Sequence, residues 1–231
     1  MTKTKIEWTD FTWNPVWGCK NNCPFCYARK INQRFKKIKD WDNPEFIENN
    51  FNKPFPKKPS RIFINSMSDV AYWKPEWIIK TFDKIKQYPE HTFIMLTKTA
   101  ELRTLEEIYG GFFPDNLYYG NTITNQSDLK KWHSTNSFEC ASYFLSIEPI
   151  LEKIDLSHMN KIHYDFMKYK PFWIIVGVET GNRKGKIIPP LEWIVDIMNY
   201  CHFENIALFM KDSLRPIWGD NLLQEFPYEN I

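Results

Sequence analysis

Cys19, Cys23 and Cys26 fall within eight residues of one another in the stretch 17-WGCKNNCPFCYAR-29. Three thiols this close are too crowded for a disulfide framework and point to metal or redox chemistry. Their spacing is Cys-x3-Cys-x2-Cys. A structural zinc site takes four ligands, and the first histidines reached along the chain are His91 and His133, so zinc here needs a distant fourth ligand. An electron-transfer 4Fe-4S cluster is normally held by four thiolates. Three thiolates would hold three irons and leave the fourth open to a reactant.

Glu148 and Glu179 form the second group with chemical potential. Each follows a strongly apolar run, 143-YFLSI-147 and 172-FWIIVGV-178. A carboxylate in that position is costly without a partner, which could be a ligand, a lysine such as Lys98 or Lys211, or a proton. Contact with a cofactor or substrate is the expectation adopted over a purely structural ion pair. Trp13, Trp17, Tyr72 and Trp73 could stack on a nucleobase, although core packing is the default for rings in a chain that is 17% aromatic. No residue resembles a nucleophile beside its base, which argues against an acid–base hydrolase.

The elements that must position these residues show in the hydrophobic pattern. Short runs rich in β-branched and aromatic residues, 61-RIFIN-65, 91-HTFIML-96, 117-LYYGNTI-123, 143–147, 172–178 and 206-IALFM-210, read as strands covered on both faces. Between them, 75-PEWIIKTFDKIKQY-88 and 190-PLEWIVDIMNYCH-202 open on proline and read as amphipathic helices, the latter with Ile194, Ile197, Met198 and Cys201 on one stripe. Residues 100–109 place Leu102, Leu105 and Tyr109 on another stripe, while 126–138 give no clear pattern. A first strand is expected near 11–17, followed by a helix from about Cys26 to Lys39. Residues 40–60, rich in Pro and Asn, read as a surface excursion.

Strands alternating with helices predict an α/β fold with a parallel sheet. About six or seven strands suggest a single-domain, partial (β/α) TIM-like barrel spanning residues 1–231. Every expected strand turns polar at its carboxyl end, with the cysteines after the first, 65-NSMSD-69 after the second and 97-TKT-99 after the third. Then come 121-NTITN-125, Glu148, 179-ETGN-182 and 211-KDS-213. Parallel α/β architectures bind ligands at that end, although any one of these groups could simply cap a helix.

The net charge of +2 hides an asymmetry: residues 1–60 carry 12 Lys/Arg against 6 Asp/Glu, and 29-RKINQRFKKIK-39 supplies six of the cations. The bias lies beside the cysteines and could attract a phosphate-bearing substrate, or be a solvated helix face. No apolar run approaches the ~20 residues of a membrane span, and Met1–Asp10 lacks a signal-peptide core. A cytoplasmic protein is expected, with no membrane partner.

The cysteine spacing, with aromatic Phe25 before Cys26, resembles the cluster loop of the radical S-adenosylmethionine (SAM) superfamily. Five segments in order, 6-IEWTDFTWNPVWGC-19, 61-RIFINSMSDV-70, 91-HTFIMLTKTAELR-103, 144-FLSIEPILEKIDL-156 and 173-WIIVGVETG-181, look like the phage-associated three-Cys-motif family, a branch related to spore photoproduct lyase. Thr124 stands where many relatives have Glu, and the gap between the first two cysteines is shorter than in many of them. The resemblance implies a 4Fe-4S cluster on Cys19, Cys23 and Cys26 and SAM on the open iron. It further implies cleavage of SAM to a 5′-deoxyadenosyl radical that abstracts hydrogen from a substrate.

Carried onto matching positions, Ser66, Ser68 and Asp69 would meet the SAM amino group, and Asn121, Thr122 and Thr124 the ribose hydroxyls. Lys98 would meet the SAM carboxylate, and Lys211 lies at the other edge of the same expected rim. Glu148 and Glu179 would join the cofactor or substrate contacts. Cys140 and Cys201 are too few for a second all-cysteine cluster. The resemblance also implies a reductant protein such as flavodoxin or ferredoxin and a nucleic-acid-related substrate, modified or repaired. The alternative is a non-catalytic metal-binding module, with zinc or an iron–sulfur cluster organising a nucleic-acid or protein-binding surface.

Overall fold

A computed structural model of the 231-residue chain describes residues 1–99, 102–110, 113–130, 143–157 and 170–227. The fold is mixed α/β. Its main sheet comprises β1 (Thr2–Lys3), β2 (Phe11–Thr12), β5 (Arg61–Phe63), β6 (Thr92–Thr97), β7 (Leu117–Ile123), β8 (Tyr143–Ile147), β9 (Trp173–Val176) and β10 (Ala207–Met210), hydrogen-bonded in that linear order. The sheet is mostly parallel, with β1 antiparallel to β2, and it is not closed. Among the described residues no helix is long and apolar enough to cross a membrane. The chain divides into two compact units, Met1–Tyr119 and Gly120–Ile231.

In the first unit the expected strand at 11–17 is broken in two. Pro15 lacks an N–H and cannot continue a ladder. The chain therefore leaves the main sheet after Thr12, and β3 (Val16–Trp17) pairs antiparallel with β4 (Glu45–Phe46) in a separate two-stranded sheet. The segment 40–60, expected as a surface excursion, supplies β4, the short helix α2 (Glu48–Phe51) and the buried rings of Trp41 and Phe51. Helix α1 (Tyr27–Phe35) starts where the Cys26 Sγ accepts the Arg29 N–H at 3.3 Å. It ends before the expected Lys39, because Lys36 adopts a left-handed conformation and the buried Asn32 side chain bonds both the N–H and the carbonyl of Ile38.

Helix α3 (Pro75–Lys86) places Pro75 in its first turn, where the missing N–H costs nothing, and buries Ile78, Thr81, Phe82 and Ile85 at helical spacing. Helix α4 (Leu102–Tyr109) follows β6. Trp13 is buried among aromatic rings, with centroids 5.0 Å from Phe55, 5.7 Å from Phe51 and 6.1 Å from Phe93. Its indole N–H donates to the Asn50 carbonyl at 3.0 Å. Trp13→Ala should therefore lower unfolding stability by about 3–5 kcal/mol, read as a shift in the urea midpoint.

In the second unit β8, β9 and β10 pair in parallel, with Ile174 opposite both Leu145 and Leu208. Helix α5 (Leu191–Glu204) buries Ile194, Ile197 and Cys201 from its expected stripe. Short α6 (Arg215–Trp218) follows β10. The terminal segment covers the β10 edge through Met210 N–H to the Leu223 carbonyl at 2.6 Å and Glu225 N–H to the Leu208 carbonyl at 3.0 Å. Gln126–Asp128 is a single 3-10 turn, while residues 131–138 of the ambiguous stretch, with His133, and Cys140 beyond it lie outside the described residues.

Candidate functional site: a thiol loop on a hydrogen-bonded carboxylate

The loop carrying the three thiols is fixed at both ends. Gly18 donates its N–H to the Met67 carbonyl at 3.1 Å and Cys19 donates to the Trp41 carbonyl at 2.8 Å. At the far end the Cys26 N–H reaches the Cys23 carbonyl at 3.1 Å, just before α1 begins. Cys19 and Cys26 pack on an apolar cluster of Ala28, Ile38, Trp41 and Met67, which Trp17 and Ile47 also join. Trp41, missed as a site residue, thus supports the loop through both its ring and its carbonyl.

Gly18 is required by the backbone. Its φ is +107°, and a Cβ there would stand 2.8 Å from the Pro44 Cα and 2.9 Å from the Trp41 carbonyl oxygen. Neither backbone atom can swing away as a side chain would. We expect Gly18→Ala to destabilise the fold by about 2–4 kcal/mol and to displace Cys19, seen as a lower melting temperature together with reduced iron uptake.

Asn21, between the first two cysteines, ties the loop to the carboxyl ends of β5 and β6. Its amide nitrogen donates to Asp69 Oδ2 at 2.7 Å, and its oxygen accepts from the Tyr72 hydroxyl at 2.6 Å and the Thr99 hydroxyl at 3.1 Å. Asp69 is buried, and accepts further hydrogen bonds from Thr97 Oγ1 at 2.6 Å, Lys98 N–H at 2.9 Å and Ala71 N–H at 3.1 Å. Within this unit the thiol loop, residues 65–69 and residues 97–99 are thereby held together by hydrogen bonds. Nothing in the residue type of Asn21 singles it out in the sequence; the polar 97-TKT-99 after β6 was the visible half of this network.

The other expected contacts already have protein partners. Ser66 Oγ donates to Asn14 Oδ1 at 3.1 Å, its carbonyl accepts the Tyr27 hydroxyl at 2.8 Å, and Ser68 Oγ accepts the Trp73 indole N–H at 3.0 Å. Lys98 Nζ lies 5.5 Å from the Phe25 ring centroid. Tyr72 gives its hydroxyl to Asn21, and Trp13 and Trp73 are buried.

Electrostatically the loop favours neutral thiols at Cys19 and Cys23. Burial pushes the Cys19 thiol up to about 12; the Asn21 N–H, 3.4 Å from its sulfur, acts against this, and Asp69 and the other two thiols add to it. Burial also raises Cys23, with Lys98 pulling it down. Cys23 and Cys26 both act on Cys19, and Cys26 acts on Cys23, so the three lie in one electrostatic neighbourhood. Binding a metal must release these protons.

The second unit holds the remaining candidates. Glu148 and Lys211, at the carboxyl ends of β8 and β10, form an ion pair. Gly177 leaves room for it, since a Cβ would lie 3.0 Å from Lys211 Cδ and 3.3 Å from Glu148 Cγ. Glu179 is 4% exposed and takes a bidentate pair from Arg183, at 2.6 and 2.7 Å. Arg183 was not among the lysine partners expected for this carboxylate. Asn121 is buried, accepts the Tyr143 hydroxyl at 2.7 Å, and leaves its Nδ2 without a hydrogen-bond partner among the described residues. Thr122 is buried, and Thr124 gives both its N–H and its hydroxyl to Asp128 Oδ2 at 2.8 and 2.9 Å.

Among the described residues no three His, Cys, Asp or Glu side chains converge as a single metal ion requires. A cluster makes a different demand, because each thiolate takes its own iron. The donor set fits such a group chemically: three thiols share one loop, backbone N–H groups already point at Cys19 and Cys26 sulfur, and the buried Trp17 indole N–H on the same apolar cluster has no acceptor among the described residues. No curated protein and no solved structure matches the chain. Residues 3–222 match the family described as a protein of unknown function, DUF5131, and the chain belongs to that family.

Proposed function

We propose that the chain is a radical SAM enzyme, that Cys19, Cys23 and Cys26 hold its 4Fe-4S cluster, and that its open sheet is a partial (β/α) barrel. The observation that carries this reading is the thiol loop itself, three sulfurs on one backbone-anchored turn with Asn21 binding the loop to buried Asp69. When bound, the cluster and SAM would supply a 5′-deoxyadenosyl radical. The chain's own residues then have distinct tasks. Trp41, Met67 and Ile38 keep water from one side of the loop, and Lys98 offsets negative charge near Cys23. Asp69, through Asn21, fixes where Cys19 and Cys23 stand relative to the ends of β5 and β6.

Ser66, Ser68 and Asp69 remain the residues proposed to face the SAM amino group, with Lys98 for its carboxylate. In the second unit Asn121, whose Nδ2 has no partner among the described residues, is the proposed ribose contact with the most support. Thr122 and Thr124 are proposed from the resemblance, Glu148 and Glu179 as carboxylates that follow strongly apolar strands, and Lys211 from its place at the end of the last strand. A nucleic-acid-related substrate and an external reductant protein complete the proposal.

The test is anaerobic purification, reconstitution with iron and sulfide, and electron paramagnetic resonance of the reduced protein with and without SAM, alongside an assay for 5′-deoxyadenosine. A 4Fe-4S signal that shifts with SAM and accompanies 5′-deoxyadenosine supports the enzyme. Stoichiometric zinc, or a cluster indifferent to SAM, overturns it in favour of a metal-bearing binding module.

A further inference from the structure

The outward face of α1 carries a feature that the thiol chemistry does not use. Tyr27, Ile31 and Phe35 recur every four residues and are 52%, 36% and 56% exposed, while Ala28 and Asn32, which flank that stripe, are buried. At 1.5 Å rise per residue the two aromatic rings stand about 12 Å apart along one stripe. Apolar side chains at this spacing normally face a core. Here they face outward, with the Arg34 guanidinium 5.1 Å from the Phe35 ring centroid.

The charge around the stripe has one sign. Residues 20–39 contain seven Lys/Arg and no Asp/Glu. Arg29 is committed to Asp42 at 2.6 Å, while Lys30, Arg34, Lys36, Lys37 and Lys39 lie exposed on the helix and the turn that follows it. A polyanion is the complementary partner. The rings narrow the choice, since a flat aromatic side chain gains most from a flat unpaired partner, and a duplex keeps its base faces stacked inside.

We propose that this face of α1 binds single-stranded nucleic acid, with the cations tracking phosphates and Tyr27 and Phe35 stacking on bases. As the substrate surface of an enzyme it deepens and rests on the radical SAM reading, but the binding itself needs no cluster, so the two can fail separately.

The measurement is fluorescence anisotropy of a short labelled single-stranded DNA or RNA with the full chain, metal-free and again after reconstitution with iron and sulfide. Five engaged cations predict that log affinity falls against log salt with a slope of about −3.5, and the Lys36→Ala/Lys37→Ala double variant should flatten it by about 1.4. Phe35→Ala should weaken binding by about 5- to 150-fold. Phe203→Ala, which removes a ring that is 82% exposed on α5, should leave affinity unchanged. Both rings are exposed, so circular dichroism and melting temperature should match the parent chain.

Tighter binding to duplex, or affinity lost only with the lysines and not with Phe35, overturns the proposal. So does binding of an acidic redox protein at this face with no oligonucleotide bound. Metal-free chain that binds the strand while the reconstituted protein makes no 5′-deoxyadenosine sustains the surface and refutes the enzyme. The reverse outcome refutes only the surface.

Discussion

Cys23→Ala, reconstituted with iron and sulfide in the absence of oxygen, should hold no 4Fe-4S cluster and form no 5′-deoxyadenosine, and Cys19→Ala and Cys26→Ala should behave alike. The loss should exceed about 100-fold, above the ~10–100-fold typical when only an outer partner of a metal site is removed. If the three thiols hold three irons as proposed, each removal leaves one iron without a protein ligand. Cys201→Ala is the control, because that thiol is 2% exposed on the core stripe of α5 and burial pushes it up to about 12. It should load iron as the parent does. Iron content and the reduced-state paramagnetic spectrum check the result directly. Retention of a full cluster in any one of the three loop variants would show that the thiols are not a ligand set, and stoichiometric zinc in the parent would replace the cluster altogether.

The sequence made some features legible and hid others for physical reasons. Cysteine spacing is local, so the thiol loop showed at once, and strands such as 143–147 and 206–210 showed because both faces are apolar. The division at Pro15 was visible as a residue type, but the partner that took Val16–Trp17, the Glu45–Phe46 strand, lies some thirty residues on in a segment whose Pro and Asn content reads as loop. Composition could not reveal that Trp41 and Phe51 fill the core from that segment. The end of α1 depended on Asn32 reaching forward to Ile38, a side-chain contact that helical periodicity does not encode. Glu148 and Glu179 were identified as carboxylates needing partners. Lys211 had been named as one such partner, whereas Arg183 lies four residues beyond Glu179 in a loop and gave no signal.

The network around Asp69 yields an expected effect on folding as large as that of Trp13→Ala. Its carboxylate takes four hydrogen bonds, from Asn21, Thr97, Lys98 and Ala71, in a site where the residue is only 4% exposed. Asp69→Ala leaves these donors facing a void, and each buried donor without an acceptor costs about 1–3 kcal/mol. Partial rehydration and alternative partners reduce the sum, so a loss of about 3–5 kcal/mol is expected, measured by urea unfolding. Asp69→Asn should cost less but not nothing, because its amide nitrogen would turn a donor toward another donor at one of the two oxygen positions. Asp42→Ala breaks an exposed pair with Arg29 and should leave the midpoint nearly unchanged. The same variants separate two roles for Asp69. If it acts by holding Asn21 and the thiol loop, iron loading should fall in step with stability. If it instead meets the SAM amino group, Asp69→Asn should keep its cluster and its fold while losing the spectral shift on adding SAM, which moves Asp69 from a positioning residue to a ligand.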